Sequence, residues 1–171
     1  MKTVIAPIPA VNDFESQGKR LYNTIHIVKE SDIDMSSLPE ISDDARTMAA
    51  LTLKESAQGF VAMSFVKYTP AATSEGSAGD VTSTVNNTLT GTIGGDRAII
   101  DDLLEGHLGE AFLVVVTDRF TQKKTIYGRP YSPMFLSAFS KRKGGDNTSC
   151  DVTFSNESFF QPLEYLGEVA E

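Results

Sequence analysis

The sequence predicts a mainly β fold: an antiparallel β-sandwich or barrel with one flanking α-helix and a long projecting hairpin. Three observations carry that expectation. About nine segments show the period-2 alternation, or the short β-branched and aromatic runs, of strands. Only one stretch, about residues 96–108, carries a helical stripe, so a single helical crossover can be placed and a doubly wound α/β sheet is disfavoured. Finally, Val81, Val85, Leu89 and Ile93 fall on one parity of a run whose other parity is Thr82, Thr84, Asn86, Thr88, Thr90 and Thr92. At ~3.3 Å per residue this strand is about 43 Å long, well beyond the usual five or six residues.

The 171 residues fit one domain by length. Residues 1–18 read as an extended arm, because Val4-Ile5, Ile8 and Val11 sit among prolines without periodicity. Residues 19–171 form the β-rich domain. Its first strand comes from Leu21, Asn23, Ile25 and Ile27 alternating with Tyr22, Thr24, His26 and Val28, and a solvated acidic loop with six acids and one Arg follows over 30–46. Met48–Lys54 and Phe60–Thr69 are the next strands. The small-residue segment 70–80, PAATSEGSAGD, has no apolar anchor and reads as a flexible tip between strands 60–69 and 81–93. Gly94-Gly95 ends the long strand, and Asp96 is placed to cap a helix whose stripe is Ile99, Ile100, Leu103, Leu104 and Leu108. Phe112–Thr117, Lys123–Arg129, Met134–Ser140, Thr148–Ser155 and Phe159–Tyr165 complete the strands.

Composition narrows the function classes. Fifteen Lys and Arg against 23 Asp and Glu give a net charge of −8, the wrong sign for a protein that grips phosphates. One cysteine and two histidines cannot build a four-ligand Cys/His zinc site. The N-terminal apolar stretch, broken by Pro7 and Pro9, is too short for a secretory signal, and no run approaches the ~20 residues of a membrane span. A soluble protein of a reducing interior is the expectation.

Each chemical motif has a plainer structural reading. Cys150 shares a parity with Val152 and Phe154, so it reads as a core residue rather than the thiolate partner of His26 or His107. Asp32, Asp34, Ser36 and Asp43 occupy offsets 1, 3, 5 and 12 of a calcium loop, but Ser37 replaces the turn glycine and Asp43 the bidentate Glu. Gly91–Gly95 lacks the Gly-Lys-Thr ending of a phosphate loop. Lys141-Arg142-Lys143 reads as a charged turn between strands. Nothing argues for an enzyme, a cofactor or a metal.

The order of features is more specific than any one of them. A long hairpin, Gly-Gly and an acidic helix lead into AFLVVVTDRF, then Tyr127-Gly128, a basic turn, and a closing segment with Pro162-Leu163-Glu164-Tyr165-Leu166-Gly167. Over residues 60–168 this order resembles the tail tube (major tail) proteins of long-tailed bacteriophages, especially phages of Bacteroidetes. The resemblance implies a non-enzymatic virion protein of the tail, assembled in the host bacterial cytoplasm. Homo-hexameric rings would stack into a tube and meet other tail proteins, and double-stranded DNA would pass through without specific binding; no membrane is involved. It also implies inter-ring contacts from the 70–80 loop (Thr73, Ser74, Glu75, Gly76, Ser77, Ala78) and from the arm (Val4, Ile5, Ile8). A head–tail connector or tail-terminator ring, and a non-enzymatic β-sandwich binding module, are the competing expectations.

Overall fold

A computed structural model describes residues 21–95, 98–144 and 147–169. The strands are β1 (Thr24–Lys29), β2 (Ile41–Ser42), β3 (Thr47–Met48), β4 (Val61–Ser64), β5 (Ala71–Ala78), β6 (Ser83–Gly94), β7 (Ala111–Thr117), β8 (Lys124–Tyr127), β9 (Met134–Gly144), β10 (Asn147–Ser158) and β11 (Leu163–Tyr165). One α-helix, α1 (Ala98–His107), joins β6 to β7. The fold is mainly β with one flanking helix, a sandwich whose two layers share β7.

Strand β7 explains the architecture. Its run Phe112–Val116 is buried at every position, as expected for a strand covered on both faces. Phe112, Val114 and Val116 enter one core with Ile25 and Ile27, while Leu113 and Val115 enter a second with Val28, Ile126, Leu163 and Tyr165. One edge of β7 pairs with β1, in the register Ile27↔Val114. The other edge is shared: β8 takes the far half (Val115↔Ile126) and β9 the near end (Phe112↔Met134). From that division the sheet splits. The first layer runs β4-β1-β7-β8-β11-β3-β2, antiparallel except for β11 against β3, and the second runs β9-β10-β6-β5.

The second layer packs Leu89, Ile93, Leu136, Cys150, Val152 and Phe154 onto the first, and Ile100 and Leu104 of α1 close the end of this core. Phe65 lies so close over β6 that a Cβ on Gly91 would sit 2.5 Å from its ring, so only glycine fits there. The helix ends at Gly109, whose φ of +84° suits the left-handed C-terminal position and whose N–H donates to Leu136 O.

Several expectations need correction. Segment 60–69 does not pair with 81–93. Its strand is only Val61–Ser64 and lies on β1 (Ile25↔Met63), after which Val66 N–H reaches Thr92 O and the chain turns through Tyr68 at φ +64°. Residues 70–80 are not a loop: Ala71–Ala78 form β5, paired with β6 from Ala71↔Thr90 to Ala78↔Ser83, and the turn is Gly79–Thr82. The overhang is short, since β10 supports β6 up to Val85↔Ser158. Met48–Lys54 and Phe159–Tyr165 contribute only Thr47–Met48 and Leu163–Tyr165 as strand. The helical stripe is narrower than expected, for Ile99 and Leu108 are exposed. Lys141–Lys143 belong to β9, not to a turn. The arm, residues 1–18, and the capping residue Asp96 lie outside the described residues.

Candidate functional site

The second layer has a polar outer face and two open edges. Cross-strand register aligns Ala71, Thr90, Thr153 and Ala138 in one row and Thr73, Thr88, Ser155 and Phe135 in the next. Glu75, Asn86 and Glu157 form another row, and Thr92, Asp151 and Ser140 a fourth. None of these residues is buried. The charge is sparse: Asp151 accepts from Thr92 Oγ1 at 2.6 Å and pairs with Arg142 at 3.1 Å, which leaves Glu75 and Glu157 as the uncompensated acids. The face is rich in Ser, Thr and Asn, and its exposed cation Arg142 is paired with Asp151.

Among the described residues, β5 at one edge pairs only with β6, and at the other Ala138–Gly144 of β9 pair only with β10, beyond a bulge at Ser137. Natural edge strands are usually blunted by brevity, Lys, Pro or a bulge. β5 has eight residues in continuous register and Glu75 as its one charge. The turn fixes which backbone groups are free. Gly79 N–H donates to Thr82 O at 2.7 Å, and alternation along an antiparallel ladder then points the odd-numbered residues of β5 at β6. Ala72, Ser74, Gly76 and Ala78 direct their N–H and C=O groups outward.

The root of the hairpin is held by amides. Ser74 Oγ donates to Asn87 Oδ1 at 2.6 Å, Asn87 Nδ2 to Asn156 Oδ1 at 3.0 Å, and Asn156 Nδ2 to the carbonyls of Ser132 and Pro133 at 3.3 and 3.1 Å. Asn87 is almost wholly buried, so this chain ties β5 and β6 to the body where apolar packing has run out.

Of the predicted contact residues, Thr73–Ala78 are brought together in β5 with exposed side chains, while Val4, Ile5 and Ile8 lie outside the described residues. The other motifs are dispersed. Cys150 is fully buried and burial pushes its thiol up; its Sγ reaches only Asp151 O, at 3.9 Å. His107 Nδ1 meets Glu110 Oε2 at 2.8 Å. Asp34 is occupied by Ser36, Asp32 accepts from Gln58 N–H and Asp43 faces Arg129, and no cluster of metal-ligating side chains occurs among the described residues. Among the described residues no helix is long and apolar enough to cross a membrane. Sequence reasoning missed the β9 edge. Its signal was the lapse of apolar alternation after Leu136.

Compared with known proteins, the chain matches no protein-family model, no curated protein and no solved structure.

Proposed function

We propose that the protein is a structural subunit that closes into rings by strand addition, β5 of one copy completing the β9 edge of the next, and that the rings stack as the tail tube of a long-tailed phage. The observation that carries this reading is a four-stranded sheet whose outer strands, β5 over Ala71–Ala78 and β9 beyond a bulge at Ser137, have no further strand partner among the described residues, β9 carrying the cations Lys141, Arg142 and Lys143 where β5 carries Glu75. Two unlike edges on one chain favour head-to-tail joining, which becomes a ring when the rotation closes and then leaves no edge exposed. The exposed Ser/Thr/Asn face would line the channel, where a duplex passes without adhering. Six copies per ring, the virion location and contacts with other tail proteins are carried by the family resemblance.

Gly76→Pro tests the joint. It removes an outward N–H while leaving the bonds from β5 to β6 in place, as proline allows on an edge strand. Circular dichroism should match the parent, and native mass spectrometry should show rings for the parent and monomer for the variant. A parent that stays monomeric at high concentration, with no rings or tubes by electron microscopy, would overturn the proposal. Single closed rings that never stack would favour the connector or terminator reading. Deleting Thr73–Ala78 cannot separate these functions, because it removes most of β5.

A further inference from the structure

At the end of the sandwich opposite the hairpin turn, Arg119 is held between two tyrosine rings, its guanidinium carbon 5.6 Å from the centroids of both Tyr22 and Tyr68. The arrangement is built in advance. Tyr68, 53% exposed, is held at φ +64°, a conformation costly for a bulky residue, with its N–H donated to Asn23 Oδ1 at 3.0 Å. The Tyr22 hydroxyl accepts from Gln122 Nε2 at 2.9 Å, and Asp118 Oδ1 accepts the N–H groups of Phe120 and Thr121 at 2.8 and 3.0 Å. Phe120, next in sequence, is 64% exposed. Among the described residues no carboxylate pairs with Arg119.

The hairpin turn presents the complementary chemistry. Val81 is 93% exposed, the most of any large apolar side chain among the described residues, and Asp80 precedes it at the tip. The two features lie at opposite ends of one strand. Val66 and Thr69 bond to Thr92 O, which places Tyr68 at the far end of β6, ten residues or about 33 Å from Thr82 at the tip. Displacing a second copy along the strand direction therefore brings its tip toward this clamp.

We infer that the Tyr22–Arg119–Tyr68 clamp receives the Asp80-Val81 turn of a second copy, so that rings stack head to tail. Asp80 would supply a carboxylate that Arg119 does not find among the described residues, in a setting where the flanking rings reduce its exposure to water. Val81 would cover Phe120 and the edge of Tyr68. The contact is heterologous and does not close on itself, so it propagates as a stack. This inference rests on the ring reading, and it assigns the receiving surface.

A charge reversal on each side and their combination test it on the full chain. Asp80→Arg and Arg119→Asp should each raise the protein concentration needed for tubes by about tenfold or more, because each sets like charges together, while single rings persist by native mass spectrometry. The double variant should restore stacking. Rings from either single variant that stack at the parent's concentration, or a double variant no better than the singles, would overturn the inference and leave the ring reading standing; a parent that forms no rings overturns both. Circular dichroism checks folding, and Asp80→Arg, on an exposed turn, carries the test if Arg119→Asp is unstable.

Discussion

The two layers satisfy their backbones to different extents. In the first layer β7 is buried on both faces, and the strands that end the layer are β2 and β4, of two and four residues. In the second layer one face is exposed and polar, and among the described residues Ala71–Ala78 of β5 and Ala138–Gly144 of β9 have no strand on their outer side. Among the described residues both layers end in strands paired on one side only, but the unpaired backbone of the first is confined to short strands, whereas the second presents longer rows of N–H and C=O groups. A domain can keep so exposed a layer folded only because the other is built on a strand buried on both faces.

That dependence is broken most strongly through the shared core. Phe154 of the second layer is fully buried and meets Phe112 of β7 edge-on at 5.8 Å. Phe154→Ala should cost about 3–5 kcal/mol, and Leu113→Ala, on the opposite face of β7, about 2–5 kcal/mol. Thermal denaturation of each should remain a single transition, since β7 belongs to both cores. Two separate transitions in Phe154→Ala would show that the first layer folds without the second.

A smaller change sharpens the contrast within the second layer. Asn87→Ala leaves Ser74 and Asn156 short of a partner and should cost about 1–3 kcal/mol. Native-state hydrogen exchange should show the loss in the amides of β5 and the first half of β6, with β7 unchanged. Equal loss of protection in β7 would mean that the hairpin does not open on its own.

The legible parts of the sequence were those with a buried face. Phe112–Val116, Leu89 and Ile93 of the long strand, and Cys150 with Val152 and Phe154 stand where their apolar parity put them, whereas Val81, expected on the same buried parity, lies exposed in the turn before β6. Strand β5 was illegible because AATSEGSA is exposed on both faces, and a strand without a buried side leaves no period to read. The strand expected over 60–69 is real only over Val61–Ser64, and its overextension arose from counting apolar residues that serve different partners: Met63 and Phe65 enter the core, while Val66 and Tyr68 remain exposed after the turn toward β6. Of the candidate site, sequence placed Thr73–Ala78 in the projecting hairpin but not as an edge strand. The β9 edge and the Arg119 clamp needed register and topology.

The weakest expected effect lies at the corner where the layers part. There Gly109 N–H and Glu110 O both bond to Leu136 of β9, and the Glu110 side chain meets His107 Nδ1 at 2.8 Å and Lys29 Nζ at 3.6 Å. The hydrogen bond from His107, with the nearby charges of His107 and Lys29, holds the Glu110 carboxyl below its usual 4.5, and partial burial opposes this. A carboxylate with a depressed folded value contributes stability fully above about pH 4.5 and loses it as pH falls through the folded value. Because the pair is exposed, the contribution stays within about 0–1 kcal/mol. His107→Ala should therefore lower the midpoint of urea unfolding slightly at pH 6, and the difference from the parent should shrink as pH falls below 4.5 through the folded value. Salt at 1 M should shrink the pH 6 difference, since exposed charges are screened over ~3 Å there. A difference that persists at pH 3 would assign His107 a packing role against Phe112, whose ring it meets at 6.4 Å, and would place the stability of this corner in its apolar contacts.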